Sequence, residues 1–193
     1  MKNFDEVGHV LVKNFLSDDV VHLLSNYLEN KIKRGEWCEE PLPGVGIEPT
    51  KYKYYADPFV EVLLADSLKK MEGLSGRSLF PTYSYVRVYQ PGEVLIPHVD
   101  RESCEISATV NVANKGDISK IFARGYDGEA LGYDLMPGDG VAYKGCEIEH
   151  FREPLKADQI LVQIMLHYVD ISGKYAKFKY DMRDDVGCSS FFS

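Results

Sequence analysis

The chain has 193 residues, of which 45% are hydrophobic and 27% are charged, and its formal net charge is -8. This length suits one folded domain and leaves little room for a second. The acidic balance argues against a general nucleic-acid-binding protein, which normally carries a basic face. A basic run at Lys31, Lys33 and Arg34 is more typical of a solvent-exposed helix face than of a binding patch.

The N-terminal sequence has no apolar stretch followed by small residues, so it predicts no signal peptide. No apolar run approaches the roughly 18 residues that a membrane span needs. The four cysteines are scattered without a C-x-x-C pair, and we expect reduced thiols in a cytoplasmic protein. We expect Cys146 to be a buried small hydrophobe and not a zinc ligand.

Residues 1–78 are expected to form an N-terminal strand and a helical flank. Val7–Phe15 alternates between apolar and polar residues, which predicts a strand. A cap-like Ser-Asp-Asp sequence and apolar residues at helical spacing then predict a helix from about Asp18 to Arg34. A second helix is predicted from Pro58 to about Glu72. Gly35–Lys53, with three prolines, is expected to be a long loop and a candidate lid.

Residues 79–170 change to short strands separated by turn signals. The predicted strands lie near Tyr83–Tyr89, Val94–His98, Ile106–Val112, Lys120–Ala123, Ala130–Leu135, Gly140–Tyr143, Glu147–Arg152 and Ile160–Val169. Many short strands of this kind predict a sandwich, jelly roll or barrel. The expected fold class is therefore α+β, a single domain with the N-terminal helices packed on one sheet of a β core. Residues 171–193 form a polar tail with no predicted element.

Three residues form a candidate metal site. His98 and Asp100 are two positions apart at the end of a predicted strand, so both side chains face the same way, roughly 6.5 Å apart. His150, about fifty residues later, is the candidate third ligand. Two His and one carboxylate with open positions is the arrangement that non-haem Fe(II) oxygenases use. We expect structural roles for the remaining histidines, His9, His22 and His167.

A co-substrate pocket is predicted beside this site. If His150 faces the metal, strand alternation directs Arg152 to the same side, roughly 6–7 Å away. A guanidinium group can hold a carboxylate with two hydrogen bonds. The alternatives are that Arg152 is an exposed strand residue in a surface ion pair, or that Lys156 is the basic partner. Pro154 is expected to place Lys156 in a loop.

The predicted strand Tyr83–Tyr89 supplies a polar aromatic wall. Three tyrosines and Arg87 alternate with smaller residues and so share one face, which is too polar for a sealed core. Tyrosine hydroxyls are suitable hydrogen-bond donors to a carboxylate. Thr109 and Asn111 share a face of a neighbouring predicted strand. The pocket residues that we select are Tyr89 and Arg152, followed by Tyr85, Arg87 and Asn111.

Together these motifs resemble the 2-oxoglutarate/Fe(II)-dependent dioxygenases, specifically their prolyl 4-hydroxylase-like branch. The resemblance rests on Tyr89-Gln90-Pro91-Gly92, on His98-Val99-Asp100, and on His150 before a terminal hydrophobic strand. The opening HVLVKNFLSDDVVHLL is also similar to that branch. The resemblance implies a double-stranded β-helix (jelly roll) core, with His98, Asp100 and His150 as catalytic iron ligands. It also implies that Tyr89 lines the 2-oxoglutarate pocket.

The implied reaction uses Fe(II), with 2-oxoglutarate and O2 as co-substrates and ascorbate as a candidate reductant. Oxidative decarboxylation of 2-oxoglutarate would be coupled to C–H hydroxylation of a small-molecule or peptide substrate. No membrane or nucleic-acid partner is expected, and the oligomeric state is open. The alternatives are a cupin-like metalloenzyme that uses the same ligands without 2-oxoglutarate, and a non-catalytic β-barrel binding module.

The sequence departs from the family at one point. The family usually has a basic residue nine or ten positions beyond the distal His, where this chain has Gln159 and Ile160. Either Arg152 or Lys156 therefore anchors the distal carboxylate of 2-oxoglutarate, or the co-substrate differs.

Overall fold

The computed structural model describes residues 4–36 and 52–186. The helices are α1 (Phe4–Val7), α2 (Asp18–Lys33), α3 (Pro58–Asp66) and α4 (Leu68–Ser75). The strands are β1 (His9–Val12), β2 (Tyr52–Tyr55), β3 (Leu79–Tyr89), β4 (Leu95–His98), β5 (Ile106–Lys115), β6 (Ile121–Arg124), β7 (Ala130–Tyr133), β8 (Gly140–Tyr143), β9 (His150–Arg152) and β10 (Ile160–Asp170). Two 3₁₀ segments, Glu102–Cys104 and Ala176–Met182, complete the described elements.

The strands form two antiparallel sheets. One has six strands in the order β1-β8-β5-β10-β3-β2, and the other has four in the order β4-β9-β6-β7. Within the described residues every strand pairing is antiparallel. Successive strands such as β8, β9 and β10 alternate between the sheets, which is typical of a jelly roll. The prediction of an α+β jelly roll is confirmed.

The helical layer covers the six-stranded sheet. Helix α2 contacts β5, α3 contacts β3 and β10, and α4 contacts β3. Leu24, Leu64 and Met71 of these helices pack in one buried cluster with Val86 and Ile164 of the sheet. Full burial of a side chain of this size contributes about 1.5–3 kcal/mol. The prediction that the helices pack on one sheet is therefore confirmed.

Two predicted elements are divided in the structure. The expected strand Val7–Phe15 is reduced to β1, because Val7 ends the short helix α1 and Gly8 (φ +85°) separates the two. The expected helix from Pro58 to Glu72 is two helices that meet at Ser67, the C-cap of α3 and the N-cap of α4. Ser67 makes no side-chain capping hydrogen bond at this junction.

Two strand predictions also change. The expected loop Gly35–Lys53 overlaps the start of β2 (Tyr52–Tyr55), which pairs with β3 as an edge strand. The expected strand Glu147–Arg152 begins only at His150, because the N–H groups of Glu147 and Ile148 both donate to the carbonyl of Lys144 and form a turn. Residues 37–51 of the candidate lid lie outside the described residues.

The tail, which had no predicted element, is ordered over its described part. The segment Ala176–Met182 packs against β3 and against the 3₁₀ segment Glu102–Cys104. It therefore lies beside the two elements that flank the predicted metal site. Over the described ranges, no helix combines the length and the hydropathy that crossing a membrane requires.

Candidate metal centre

The three predicted metal ligands converge in the structure. His98 ends β4 and His150 begins β9, and the two residues are register partners in the four-stranded sheet. Asp100 follows β4, and its Oδ1 atom lies 3.6 Å from Nε2 of His98 and 3.5 Å from Nε2 of His150. All three potential ligand atoms lie within 4.8 Å of one another.

Hydrogen bonds fix the protonation pattern of both imidazoles. Nδ1 of His98 lies 2.9 Å from the carbonyl of Ile96, and Nδ1 of His150 lies 3.0 Å from the carbonyl of Ile148. A carbonyl can only accept, so each Nδ1 carries a hydrogen, and each Nε2 is the ring nitrogen that can bind a metal once it is deprotonated. Metal-binding histidines characteristically donate their other ring N–H in this way. The donor set therefore fits a divalent transition metal such as Fe(II).

Gly145 and Ser107 hold Asp100 in position. The Asp100 N–H donates to the carbonyl of Gly145 at 2.8 Å, and Ser107 Oγ donates to Asp100 Oδ2 at 3.4 Å. A Cβ atom at Gly145 would lie 2.1 Å from the carbonyl oxygen of Cys104 and 2.6 Å from Asp100 Oδ2. Only glycine fits this contact. Sequence reasoning missed both residues, because a glycine after a strand is equally explained by an ordinary turn.

The charges of Asp100 and His150 influence each other's pKa. Burial alone would raise the pKa of Asp100, but the charge on His150 and hydrogen bonds to His150 and His98 lower it overall. For His150, burial favours the neutral form, yet the neighbouring Asp100 carboxylate raises its pKa. In the metal-free protein a proton on His150 therefore competes with a metal ion for the same atoms.

A second cluster shares the same carboxylate. Asp100, Cys104 and His167 also bring potential ligand atoms within 4.8 Å of one another. Burial raises the pKa of the Cys104 thiol well above its ordinary value, and its Sγ lies 3.1 Å from the hydroxyl of Tyr83. Metals bind the thiolate and not the protonated thiol, so this cluster is the poorer metal site.

His167, expected to be a structural residue, lines the cavity beside the site. It is buried, and its Nδ1 lies 2.8 Å from Oγ of Ser107, the residue that contacts Asp100. Burial lowers the pKa of His167 to about 4, so the ring is neutral at physiological pH. Sequence reasoning gave no signal for this contact, since His167 and Ser107 are distant in the chain.

The three ligands open onto a cavity between the two sheets. Four alternate residues of β3 line it, as strand periodicity predicted: Tyr83, Tyr85, Arg87 and Tyr89. Gln163 and Thr109 line it from the neighbouring strands β10 and β5. The cavity therefore connects the candidate metal ligands with the predicted polar aromatic wall.

Two buried arginines lie close to Tyr89, and Arg87 is the member of this pair that lines the cavity. The guanidinium carbons of Arg87 and Arg152 lie 4.1 and 5.4 Å from the centre of the Tyr89 ring. Arg87 is 1% exposed, and its Nε and Nη1 atoms have no hydrogen-bond partner among the described residues. Its nearest carboxylate is Glu93, at 4.0 Å.

Arg152 is better supported than Arg87. Its Nη1 donates to the carbonyl of Ser119, and its Nη2 donates to Oε1 of Gln163 at 2.9 Å. Its Nε has no partner in the described part of the chain. Burial lowers the pKa of Arg152 to about 10, and the positive charge of Arg87 adds to this effect. Arg87 has one carboxylate at 4.0 Å and Arg152 has no ion pair among the described residues, so the two buried cations favour binding of an anion.

Other predicted residues fall outside the cavity. Asn111 is buried and donates through Nδ2 to the carbonyl of Leu135, so it supports the fold. Lys156 lies in a loop, where it lines a separate surface pocket with Phe122 and Pro154 and does not line the cavity. Gln159 bonds the backbone of Lys156 and Asp117, and the residue of this region that faces the cavity is Gln163.

The described cysteines are both free thiols. Cys146 is only partly buried, which corrects the expectation of a buried hydrophobe, and it donates to the carbonyl of Arg101 at 3.3 Å. Burial raises the pKa of this thiol to about 12. Cys146 therefore supports the loop after Asp100 and is not among the described clusters that bring potential metal ligands together.

Comparisons with known proteins identify the fold. No family model matches the sequence, and no curated protein sequence is significantly similar. A prolyl-4-hydroxylase from Pseudomonas putida superposes with a TM-score of 0.65 at 18% identity, over 85% of this chain and 94% of that chain. The non-haem α-ketoglutarate-dependent epimerase SnoN from nogalamycin biosynthesis superposes with a TM-score of 0.72 at 13% identity, over 87% and 78%. EctD from S. alaskensis with bound Fe superposes with a TM-score of 0.67 at 13% identity, over 88% and 75%.

These similarities establish that the chain has the fold of the 2-oxoglutarate-dependent oxygenases. The double-stranded β-helix that the sequence motifs implied is therefore confirmed.

Proposed function

We propose that this protein is a non-haem Fe(II)/2-oxoglutarate-dependent oxygenase of the hydroxylase type. One observation carries the proposal: the cluster of His98, Asp100 and His150 opens onto a cavity lined by Arg87, a buried arginine whose Nε and Nη1 have no hydrogen-bond partner among the described residues. The fold shared with enzymes of this chemistry supports it.

The iron would be held by Nε2 of His98, Nε2 of His150 and a carboxylate oxygen of Asp100. Three protein ligands leave coordination positions open toward the cavity, as this class of site requires. Bound Fe(II) would supply the activation of O2 that is coupled to decarboxylation of 2-oxoglutarate to succinate and CO2. Ascorbate, as an accessory reductant, is part of the proposal.

The protein itself would bind and orient the co-substrate. Its distal carboxylate would accept hydrogen bonds from the free Nε and Nη1 of Arg87 and from Nε of Arg152. Burying unpaired guanidinium groups is costly, and an anionic ligand removes that cost. Both guanidinium groups lie near the Tyr89 ring and Gln163 fixes Arg152, so a dicarboxylate would have one orientation with its 2-oxo acid end toward the metal ligands.

Hydroxylation is proposed by analogy with one structural neighbour. The Pseudomonas putida protein is a prolyl-4-hydroxylase, whereas SnoN is an epimerase and SnoK a carbocyclase on the same fold. Fold alone does not select among these reactions. We choose hydroxylation of a small-molecule or peptide substrate because the sequence motifs also resemble the prolyl 4-hydroxylase-like branch.

The proposal is tested by turnover of 2-oxoglutarate in air with Fe(II), with succinate measured by NMR. We expect slow succinate formation without any primary substrate and a loss of at least 100-fold in Asp100→Ala. The matched control is Asp134→Ala, since Asp134 is exposed and pairs only with the surface residue Lys120 among the described ion pairs. Iron binding without succinate would favour the cupin-like alternative, and absence of iron binding would favour a non-catalytic module.

A further inference from the structure

A second polar cluster packs against Tyr83, a residue that lines the cavity far along β3 from Tyr89. Tyr83 and Tyr89 both line the cavity and are six residues apart on β3, which is roughly 20 Å along a strand. The Tyr83 ring lies between the rings of Tyr55 and His167, at centroid distances of 5.0 and 4.6 Å. The guanidinium carbon of Arg101 lies 4.5 Å from the centre of the same ring.

Arg101 and Tyr55 together hold a carboxylate. Oδ2 of Asp181 accepts a hydrogen bond of 2.5 Å from the hydroxyl of Tyr55 and one of 2.8 Å from Nη2 of Arg101. The side chain of Asp181 is only 10% exposed. Arg101 directly follows the candidate ligand Asp100, so this carboxylate lies close to the proposed iron site.

Asp181 reaches this position in a strained conformation. Tyr180, Asp181 and Met182 have φ values of 54°, 53° and 63°, in the left-handed region that side chains disfavour. The chain just beyond is firmly held, because Arg183 donates to Oε2 of Glu61 at 2.8 Å and to the carbonyl of Thr82 at 2.9 Å. The contacts of Asp181 with Arg101 and Tyr55 therefore oppose the strain of the segment that carries it.

The segment 174–183, which carries Asp181, has an excess of basic residues, although the whole chain has a net charge of -8. Residues 174–183 carry four cationic side chains and one carboxylate, that of Asp181. Lys174, Lys177 and Lys179 are exposed. Local positive potential of this kind attracts anions to a site.

We infer that Arg101 and Tyr55 form an anion subsite for the primary substrate, and that Asp181 fills this subsite in the substrate-free protein. An acidic group of the substrate, a carboxylate or a phosphate, would displace Asp181 and release the strained segment. The inference rests on the proposed function and narrows it, because the primary substrate is then an acidic molecule that enters beside Asp100. Neutral substrates would leave Arg101 paired with Asp181.

The test uses Fe(II)-loaded protein under anaerobic conditions in the presence of 2-oxoglutarate, with acetate and methyl phosphate as the two probes. Line broadening of each probe's methyl proton signal measures its binding. In Asp181→Asn the competing charge is absent, while asparagine tolerates the left-handed conformation. We expect this variant to bind one or both probes at least tenfold more tightly than the wild type. The matched control Asp184→Asn changes the same charge at an exposed neighbouring position and is expected to bind like the wild type.

The double variant Arg101→Gln/Asp181→Asn is expected to lose the gain in probe affinity, because the cation that binds the anion is then absent. Acetate binding alone assigns a carboxylate substrate, methyl phosphate binding alone assigns a phosphate, and binding of both supports the subsite without choosing between them. No gain in Asp181→Asn, or a gain that persists in the double variant, would overturn the inference.

Hydrogen exchange of the wild type gives an independent readout that does not depend on how well the variants fold. The amide of Arg183 bonds the carbonyl of Tyr180, so displacement of Asp181 by saturating probe should accelerate its exchange. Unchanged exchange would show that Asp181 is a permanent structural contact. If the wild-type protein does not bind 2-oxoglutarate at all, the proposed function fails, whereas 2-oxoglutarate binding without these probe effects removes only the anion subsite.

Discussion

Arg87 of β3 and Gln163 of β10 are register partners on adjacent antiparallel strands, and both line the same end of the cavity. The family that the sequence resembles usually places a basic residue on the last core strand. In this chain that strand contributes Gln163, and the cation stands one strand to the side. Cross-strand partners are about 4.5–5.5 Å apart at Cβ, so a long side chain on either strand can reach the same ligand atom.

Replacing Arg87 should change the affinity for 2-oxoglutarate much more than the thermal stability of the protein. We expect Arg87→Gln to weaken 2-oxoglutarate binding about 10- to 100-fold, because each lost hydrogen bond to a charged group is worth about 1.5–3 kcal/mol. Without 2-oxoglutarate the melting temperature should fall only slightly, since Arg87 makes one hydrogen bond of 3.3 Å, to the carbonyl of Val94, and one ion pair at 4.0 Å. Isothermal titration calorimetry and thermal unfolding measure the two effects.

The control for this variant is Arg124→Gln. Arg124 is half exposed and pairs with Glu149 on the surface, where an ion pair contributes about 0–1 kcal/mol. Its 2-oxoglutarate affinity should equal that of the wild type. Wild-type affinity in Arg87→Gln as well would mean that Arg152 alone anchors the co-substrate.

Gly145 should be essential for the position of Asp100. In Gly145→Ala the added methyl group meets the carbonyl oxygen of Cys104 and the carboxylate of Asp100. We expect Fe(II) affinity to fall at least tenfold and stability to fall by about 1–3 kcal/mol from overpacking. Equilibrium dialysis with Fe(II) and chemical denaturation test these effects.

Gly73→Ala is the matched control for that substitution. A Cβ atom at Gly73 meets nothing within 4 Å, and the residue lies within helix α4. Alanine is favoured over glycine in a helix by about 0.5–1 kcal/mol, so this variant should be slightly more stable, with unchanged iron affinity. Equal iron affinity in the two variants would contradict the role of Gly145.

Iron affinity should depend on pH through His150. The pKa of His150 is raised in the metal-free protein because of the Asp100 carboxylate, so below that raised pKa Fe(II) must displace a proton. Affinity should be constant at higher pH and fall by about tenfold per pH unit on the acid side. The fall should begin above pH 6.5, the ordinary pKa of histidine. An onset at or below that value, in a pH series of Fe(II) titrations, would argue against the coupling.

Local patterns in the sequence predicted one wall of the site. Alternation along Tyr83–Tyr89 placed three tyrosines and Arg87 on one face because the two-residue period of a strand is a local property. The same period brought His98 and Asp100 together. These predictions needed no knowledge of which strands are neighbours.

The remaining features depend on contacts between distant parts of the chain. Gln163 could be identified only from the register of β10 with β3, and counting along the sequence pointed to Gln159 instead. His167 contacts Asp100 through Ser107, which is sixty residues away. The role of Asp181 depends on where the C-terminal segment packs against β3, and the periodicity of the sequence does not predict that position.

The most direct test of the proposed function is titration of 2-oxoglutarate into the anaerobic Fe(II) protein, followed by visible absorption. We predict a metal-to-ligand charge-transfer band that saturates at one equivalent of 2-oxoglutarate and is absent in His98→Ala. Iron binding without such a band, or a band of equal strength in His98→Ala, would contradict the assignment of these residues as the iron and 2-oxoglutarate site.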